Sequence, residues 1–184
     1  MLRKLPNIIT LMRLLMVPLF VAAFFGGFGK SVYLTVFALS GLSDVVDGYL
    51  ARRLKCESNF GKLVDPLADK LMQISVAVCI ATEMPQLIWV PVFLAVKELF
   101  MICAAAGLLK KDNIVVKSNW AGKLASVIYF FAFLCIMVFD NSISRNLAQS
   151  LCGMFALFSM LAFVIYIHKY LTLRKQKRSE LGNT

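Results

Sequence analysis

DVVDGYLARRLKCESNFGKLVDPLAD, residues 44–69, is the stretch that decides the fold, because it places four carboxylates inside segments that are otherwise apolar. If its first half is helical, positions 44, 47, 48 and 51 follow an i, i+3, i+4, i+7 pattern and share one face. Asp65 and Asp69 then lie one turn apart on a second helix. We therefore predict two helices, joined by a short basic loop, that bring four acidic groups to one point.

The four carboxylates, Asp44, Asp47, Asp65 and Asp69, predict a metal site. Charged groups within a membrane are costly and usually functional. Four of them would repel each other unless a hard cation lay between them, and oxygen ligands suit Mg²⁺, Mn²⁺ or Ca²⁺. We expect Asp44, Asp47 and Asp65 to bind metal, with Asp69 contributing to a second ion.

The composition indicates a single membrane domain. Hydrophobic residues make up 60% of the 184-residue chain and charged residues only 16%, whereas a soluble domain is usually about 45–50% apolar. The net charge of +10 arises from basic residues at the ends of apolar segments. We therefore expect membrane lipids and anionic substrates as partners, and no nucleic acid. Five scattered cysteines and one histidine support neither a zinc site nor a disulfide framework.

Six apolar segments of spanning length predict an all-α integral membrane protein. They lie at about 6–28, 31–54, 60–82, 87–109, 118–139 and 146–168. Basic residues are concentrated in alternate connections, which predicts six transmembrane helices with both termini cytoplasmic. The membrane domain is expected over residues 1–173, followed by a basic cytoplasmic tail, 174–184. The first apolar run exceeds the roughly 7–15 residues of a signal-peptide core, so we expect it to be retained as a membrane helix.

The predicted topology fixes the depth of the acidic residues. Each lies a few residues from the basic connection between the second and third helices, on the order of 10 Å into the membrane at 1.5 Å per residue. All four would therefore reach one level, in a cavity that faces the cytoplasm.

The spacing D-x2-D-G-x2-A-R-x8-G-x3-D-x3-D, matched here at every defined position, resembles the signature of the CDP-alcohol phosphotransferase family of membrane enzymes. The continuation DPLADK (65–70) and the opening LPNIITLMR (5–13) resemble its phosphatidylglycerophosphate synthase branch. The resemblance implies transfer of a phosphatidyl group from CDP-diacylglycerol to glycerol 3-phosphate, giving phosphatidylglycerophosphate and CMP. It also implies a homodimer in the cytoplasmic membrane that uses Mg²⁺ or Mn²⁺, with two divalent ions per site.

The same resemblance makes Asp69 the base that takes the proton of the acceptor hydroxyl. Four further positions are expected to bind the CDP-lipid. Small residues leave room for the nucleotide beside the helix backbone, and an arginine can pair with a phosphate. These positions are Gly48, Ala51, Arg52 and Gly61.

The acceptor site is the least constrained part of the resemblance. The branch usually carries an Arg-Glu pair on helix 4 and Gly-Lys-x-Lys-Thr on helix 5, whereas this chain has Lys97-Glu98 and GKLAS at 122–126. We expect Lys97, Lys117 and Lys123 to bind the phosphate of the acceptor. Alternatively, Lys97 and Glu98 neutralise each other as a structural pair. Two other functions stay open: a cardiolipin synthase that uses phosphatidylglycerol as acceptor, and an ion-coupled transporter.

Overall fold

A computed structural model describes the backbone of residues 5–54, 59–112, 120–139 and 142–181, and the side chains of 11–43, 67–103, 120–139, 142–169 and 171–172. Within these backbone ranges the chain forms six α-helices and one 3-10 turn, and no strand. The helices are α1 (Leu5–Phe25), α2 (Lys30–Leu54), α3 (Asn59–Glu83), α4 (Trp89–Asp112), α5 (Trp120–Val138) and α6 (Arg145–Leu181). Each overlaps one of the six apolar segments, so the all-α prediction is confirmed.

Three described stretches are long and apolar enough to cross a membrane: Pro85–Cys103, Trp120–Val138 and Arg145–Lys169. A shorter apolar stretch, Leu11–Phe25, lies in α1. Large apolar side chains such as Phe100, Phe131 and Leu157 are more than 60% exposed, as expected of helices whose outer surface meets lipid. The chain is therefore a membrane protein. Spanning by α1, α2 and α3, and the cytoplasmic position of both termini, stay predictions.

The sixth helix is longer than its apolar segment. The apolar segment ends near residue 168, but α6 continues to Leu181 and takes in most of the basic stretch that we assigned to a tail. Lysine, arginine, glutamine and glutamate are good helix formers, and the first glycine after the apolar segment is Gly182. The sequence after the apolar segment therefore lets the helix continue beyond the length that a bilayer requires.

The connection between α1 and α2 depends on glycine. Gly27 and Gly29 have φ values of 69° and 91°, a region that residues with a Cβ adopt only with strain. Gly26 donates its backbone N–H to the carbonyl of Ala22 at 2.8 Å, which closes the last turn of α1. The chain can therefore leave α1 and enter α2 through a short turn.

The chain folds into two compact units, and the first contains α1, α2, α3, the start of α4 through Pro91 and the end of α5 from Phe133. Here α1 packs against both α2 and α3. Phe20 of α1 is fully buried, and its ring centroid lies 6.3 Å from those of Tyr33 and Phe37 on α2. These aromatic contacts fix α1 against α2.

The packing of α3 in the first unit relies on small and β-branched residues. Ala68 and Val76 are fully buried, and Ala77 is 1% exposed. After α3 ends at Glu83, a 3-10 turn at Pro85–Leu87 packs back on it. Ala68 precedes Asp69 directly in the chain, so the part of α3 that carries Asp69 is anchored by a buried residue.

The second unit contains α4 from Val92, α5 through Ala132, and α6. Phe155 of α6 is buried. Its ring centroid lies 5.1 Å from that of Tyr129 on α5 and 6.5 Å from that of Phe93 on α4, both near edge-to-face. One aromatic side chain thus joins all three helices of this unit.

Candidate active site

The acidic motif is divided between two helices, as the spacing predicted. Residues 44–52 lie in the C-terminal part of α2, and residues 61–69 lie in the N-terminal part of α3. Both stretches have helical backbone. Of the motif side chains, that of Asp69 is described. The side chains of the others lie outside the described residues: Asp44, Asp47, Gly48, Ala51, Arg52, Gly61 and Asp65.

Asp69 is half-buried on α3 and is held by a glutamine one turn along the helix. Gln73 donates an N–H from Nε2 to Asp69 Oδ2, with the two atoms 3.2 Å apart. Lys70 in turn donates from Nζ to Gln73 Oε1 at 3.5 Å. The amide of Gln73 therefore lies between a cation and a carboxylate.

Gln73 was missed by the sequence analysis, although it is buried, with 6% of its surface exposed. Its position in the sequence could have indicated this contact with Asp69. A residue four places after an aspartate lies beside it on the same helix face, and a glutamine–aspartate hydrogen bond is a recognised pairing at that spacing. A polar side chain one turn beyond Asp69, in an apolar helix, could have been added to the candidate site on that ground.

The second buried polar cluster lies in the second unit and contains one of the predicted acceptor lysines. Lys97 Nζ lies 2.8 Å from Glu98 Oε1, and the two side chains are 11% and 12% exposed. Lys97 Nζ also donates to Ser159 Oγ on α6 at 3.1 Å. The Lys97–Glu98 pair, the structural alternative to acceptor binding, is therefore present, and it is joined to α6 through Ser159, which the sequence analysis did not single out.

The remaining predicted acceptor lysines differ in their setting. Lys123 is exposed, in the first turn of α5. Nearby, Ser126 donates its hydroxyl to the backbone carbonyl of Gly122 at 3.3 Å, a bond within the helix. Lys117 lies outside the described residues. The acceptor-binding role of these lysines stays a prediction.

The metal site also stays a prediction. Three or more metal-ligating side chains do not come together among the described residues, and three of the four predicted carboxylates lie outside them. The donor set still fits a hard divalent cation, because it consists of carboxylate oxygens. Asp69, the described member, also receives the kind of supporting hydrogen bond that orients ligating carboxylates.

Comparison with known proteins agrees with the motif. Residues 3–172 match the family model of the CDP-alcohol phosphatidyltransferases. A probable phosphatidylglycerophosphate synthase of Mycobacterium tuberculosis is 33% identical over 132 residues, which cover 68% of this chain and 61% of the relative. A CMP-forming cardiolipin synthase of Streptomyces coelicolor is 35% identical over 143 residues, 74% of this chain and 66% of the relative.

A third relative carries the name CDP-diacylglycerol–glycerol-3-phosphate 3-phosphatidyltransferase and comes from Haemophilus influenzae. It is 33% identical over 128 residues, 65% of this chain and 68% of the relative. The matched region thus spans somewhat more than three fifths of the mycobacterial relative's length. The names of these relatives include both of the synthase activities that the sequence left open.

Proposed function

The chain belongs to the CDP-alcohol phosphatidyltransferase family, and we propose that it transfers a phosphatidyl group from CDP-diacylglycerol to glycerol 3-phosphate, releasing CMP. The observation that carries the proposal is the complete acidic motif, with its first half in the C-terminal part of α2 and its second half in the N-terminal part of α3. The relatives from Mycobacterium tuberculosis and Haemophilus influenzae, whose names state this type of synthase or transferase, support it.

In the proposed reaction, a hydroxyl oxygen of the acceptor attacks the β-phosphorus of the CDP-lipid. A bond from that oxygen to phosphorus forms, the bond from phosphorus to the CMP oxygen breaks, and CMP leaves with the electron pair. Asp69 takes the hydroxyl proton as general base. The hydrogen bond from Gln73 limits the orientations that the Asp69 carboxylate adopts, which suits a base that must meet one proton.

Binding of the CDP-lipid is assigned to the rest of the motif. Asp44, Asp47, Asp65 and Asp69 would hold two Mg²⁺ or Mn²⁺ ions. Such ions, when bound, neutralise a pyrophosphate and stabilise a leaving phosphate oxygen. Arg52 would pair with a phosphate through its planar fork of N–H donors. The remaining contacts come from three positions that let the nucleotide approach the backbone: Gly48, Ala51 and Gly61.

The acceptor requires cations in addition to the metal site. Glycerol 3-phosphate carries between one and two negative charges near neutral pH, because the second pKa of a phosphate monoester is about 6. Four carboxylates and a pyrophosphate would repel it even with two divalent ions bound. We assign Lys97, Lys117 and Lys123 to its phosphate.

A cardiolipin synthase is the second candidate, because this chain departs from the synthase pattern at positions expected to bind the acceptor. Lysine stands at position 97 in place of the arginine that the synthase branch usually carries, and the Ala125-Ser126 pair replaces Lys-Thr. Lys97 is also engaged with Glu98 and Ser159, which reduces its availability to a phosphate. The relative from Streptomyces coelicolor is named for this activity. The acceptor in that reaction would be phosphatidylglycerol.

The deciding experiment measures CMP release by the purified protein in mixed micelles with CDP-diacylglycerol and Mg²⁺ or Mn²⁺. Glycerol 3-phosphate, phosphatidylglycerol, glycerol and serine are compared as acceptors, with Asp69→Asn as the inactive control. We expect glycerol 3-phosphate to support the fastest release. Release with phosphatidylglycerol but not with glycerol 3-phosphate would replace the first candidate with the second. Release with neither acceptor would reject both.

We further propose that the protein lies in the cytoplasmic membrane as a homodimer, with its active site open to the cytoplasm. The alternation of basic residues between the apolar segments supports this orientation. Chemical cross-linking in native membranes, followed by mass measurement, tests the dimer independently of activity.

A further inference from the structure

We propose that Gln73 is a positioning residue for Asp69, and that Lys70 sets the direction in which the Gln73 amide points. The inference rests on the proposed function, in which Asp69 is both a metal ligand and the base. It assigns a role to a side chain outside the acidic motif.

The chemistry of the two neighbours fixes the orientation of the amide. An ionised carboxylate accepts hydrogen bonds and a lysine ammonium donates them. Gln73 lies between the two, so its oxygen must face Lys70 and its nitrogen must face Asp69. The observed contacts have this arrangement, with Lys70 Nζ to Gln73 Oε1 at 3.5 Å and Gln73 Nε2 to Asp69 Oδ2 at 3.2 Å. Turning the amide by 180° would place its N–H groups against the Lys70 ammonium, donor against donor. It would also place its oxygen against the Asp69 carboxylate, acceptor against acceptor.

The burial of Gln73 indicates that the contact is more than a surface pairing. Only 6% of Gln73 is exposed, and its neighbours on the helix, Met72, Val76 and Ala77, are also buried and apolar. A buried amide without hydrogen bonds destabilises a fold by a few kcal/mol. An apolar side chain of the same size would avoid that penalty. The presence of glutamine at position 73 is therefore explained by its hydrogen bonds to Asp69 and Lys70.

The consequence for Asp69 is a restricted carboxylate. A hydrogen bond to Oδ2 from a side chain that is itself buried and oriented holds the aspartate in one rotamer. Outer partners of this kind hold metal-ligating carboxylates in place, and their removal typically lowers metal affinity or activity about 10- to 100-fold. Lys70 acts one step further away, through Gln73.

The test compares two variants of similar size. Gln73→Met removes both hydrogen bonds and keeps the volume of the side chain. Gln73→Glu keeps oxygen atoms that accept from Lys70 but has no N–H to give to Asp69. Thr82→Val is the matched control, because it removes a side-chain hydrogen bond, to the carbonyl of Cys79 at 2.6 Å, from the other end of α3.

Two readouts are needed, and one of them does not depend on turnover. Mn²⁺ binding to the full-length protein in detergent is measured from the electron paramagnetic resonance signal of free Mn²⁺. CMP release gives kcat and the KM for CDP-diacylglycerol. We expect both glutamine variants to lose about 10- to 100-fold in Mn²⁺ affinity, in kcat or in both. The KM for CDP-diacylglycerol should change less than kcat, and Thr82→Val should match the wild type.

The remaining outcomes would overturn the role of Gln73, the proposed function, or both. Gln73→Met within threefold of the wild type in both readouts would overturn the positioning role. Loss in Gln73→Met with wild-type behaviour in Gln73→Glu would also overturn it, because donation to Asp69 would then be unnecessary. Wild-type protein that binds Mn²⁺ but releases no CMP would reject the proposed function, while the Mn²⁺ affinities would still decide the role of Gln73. Wild-type protein that does neither would reject both.

Discussion

The ammonium nitrogen of Lys97 on α4 lies 3.1 Å from the hydroxyl oxygen of Ser159 on α6, two residues 62 positions apart in the sequence. The same nitrogen lies 2.8 Å from Glu98 Oε1. A phosphate that binds Lys97 must therefore share the ammonium with a carboxylate and a hydroxyl. Lys97 therefore has two candidate roles, neutralising Glu98 and binding the acceptor. Variants of Lys97 and Glu98 can distinguish these roles.

Replacing Lys97 alone should destabilise the protein. Both side chains of the pair are nearly buried, at 11% and 12% exposure, and removing one partner of a buried ion pair usually lowers stability by roughly 3–5 kcal/mol. We expect Lys97→Met to lower the melting temperature in detergent, and the double variant Lys97→Met/Glu98→Gln to restore most of it. Equal melting temperatures for Lys97→Met and the wild type would show that the pair does not stabilise the fold.

The double variant then tests the acceptor role in a protein that folds. Loss of a hydrogen bond to a charged phosphate amounts to roughly 1.5–3 kcal/mol, about tenfold to a hundredfold in affinity. We expect the KM for glycerol 3-phosphate to rise by that factor, with the KM for CDP-diacylglycerol nearly unchanged. A double variant with wild-type values for both substrates would make Lys97 a structural residue.

Lys123 offers a simpler test of acceptor binding, because it is exposed in the first turn of α5. A positive charge near a helix N-terminus opposes the helix dipole, so Lys123→Ala should not destabilise the fold. We expect it to raise the KM for glycerol 3-phosphate about tenfold to a hundredfold and to leave the melting temperature unchanged. Lys169→Ala, which removes another exposed charge, from α6, is the matched control. The same KM change in both variants would indicate a general charge effect.

The helices were predictable because a spanning helix needs about 20 apolar residues, a pattern that a local window of sequence contains. The end of α6 was not predictable in this way. Hydropathy set the predicted boundary near residue 168, but the basic residues beyond it still favour a helix. The motif placed Asp44 to Asp69 on two helices correctly. The Lys97–Ser159 contact depends on how α4 packs against α6 within one unit, and the spacing of residues along one helix carries no such information.

Asp44 and Asp69 should have different roles, and their asparagine variants should show it. Asp44→Asn removes a charge from the proposed metal site and should lose both Mn²⁺ binding and turnover. Asp69→Asn should lower turnover by at least ~10²-fold, the lower end for removal of a general base, while CDP-lipid binding largely survives. Binding is measured by displacement of a labelled CDP-lipid, and turnover by CMP release. Near-normal turnover of Asp69→Asn would exclude it as the base.

The orientation of the chain can be tested through Cys56, which lies outside the described residues, in the connection between α2 and α3. This connection and its flanks carry Arg52, Arg53, Lys55 and Lys62, and basic connections remain on the cytoplasmic side. A membrane-impermeant maleimide should therefore label Cys56 in inverted vesicles but not in intact cells. Cys79 and Cys152 are buried and should contribute little label on either side, and Cys56→Ala shows how much signal comes from the other cysteines. Labelling of Cys56 in intact cells would place the acidic motif on the outer side and reverse the predicted topology.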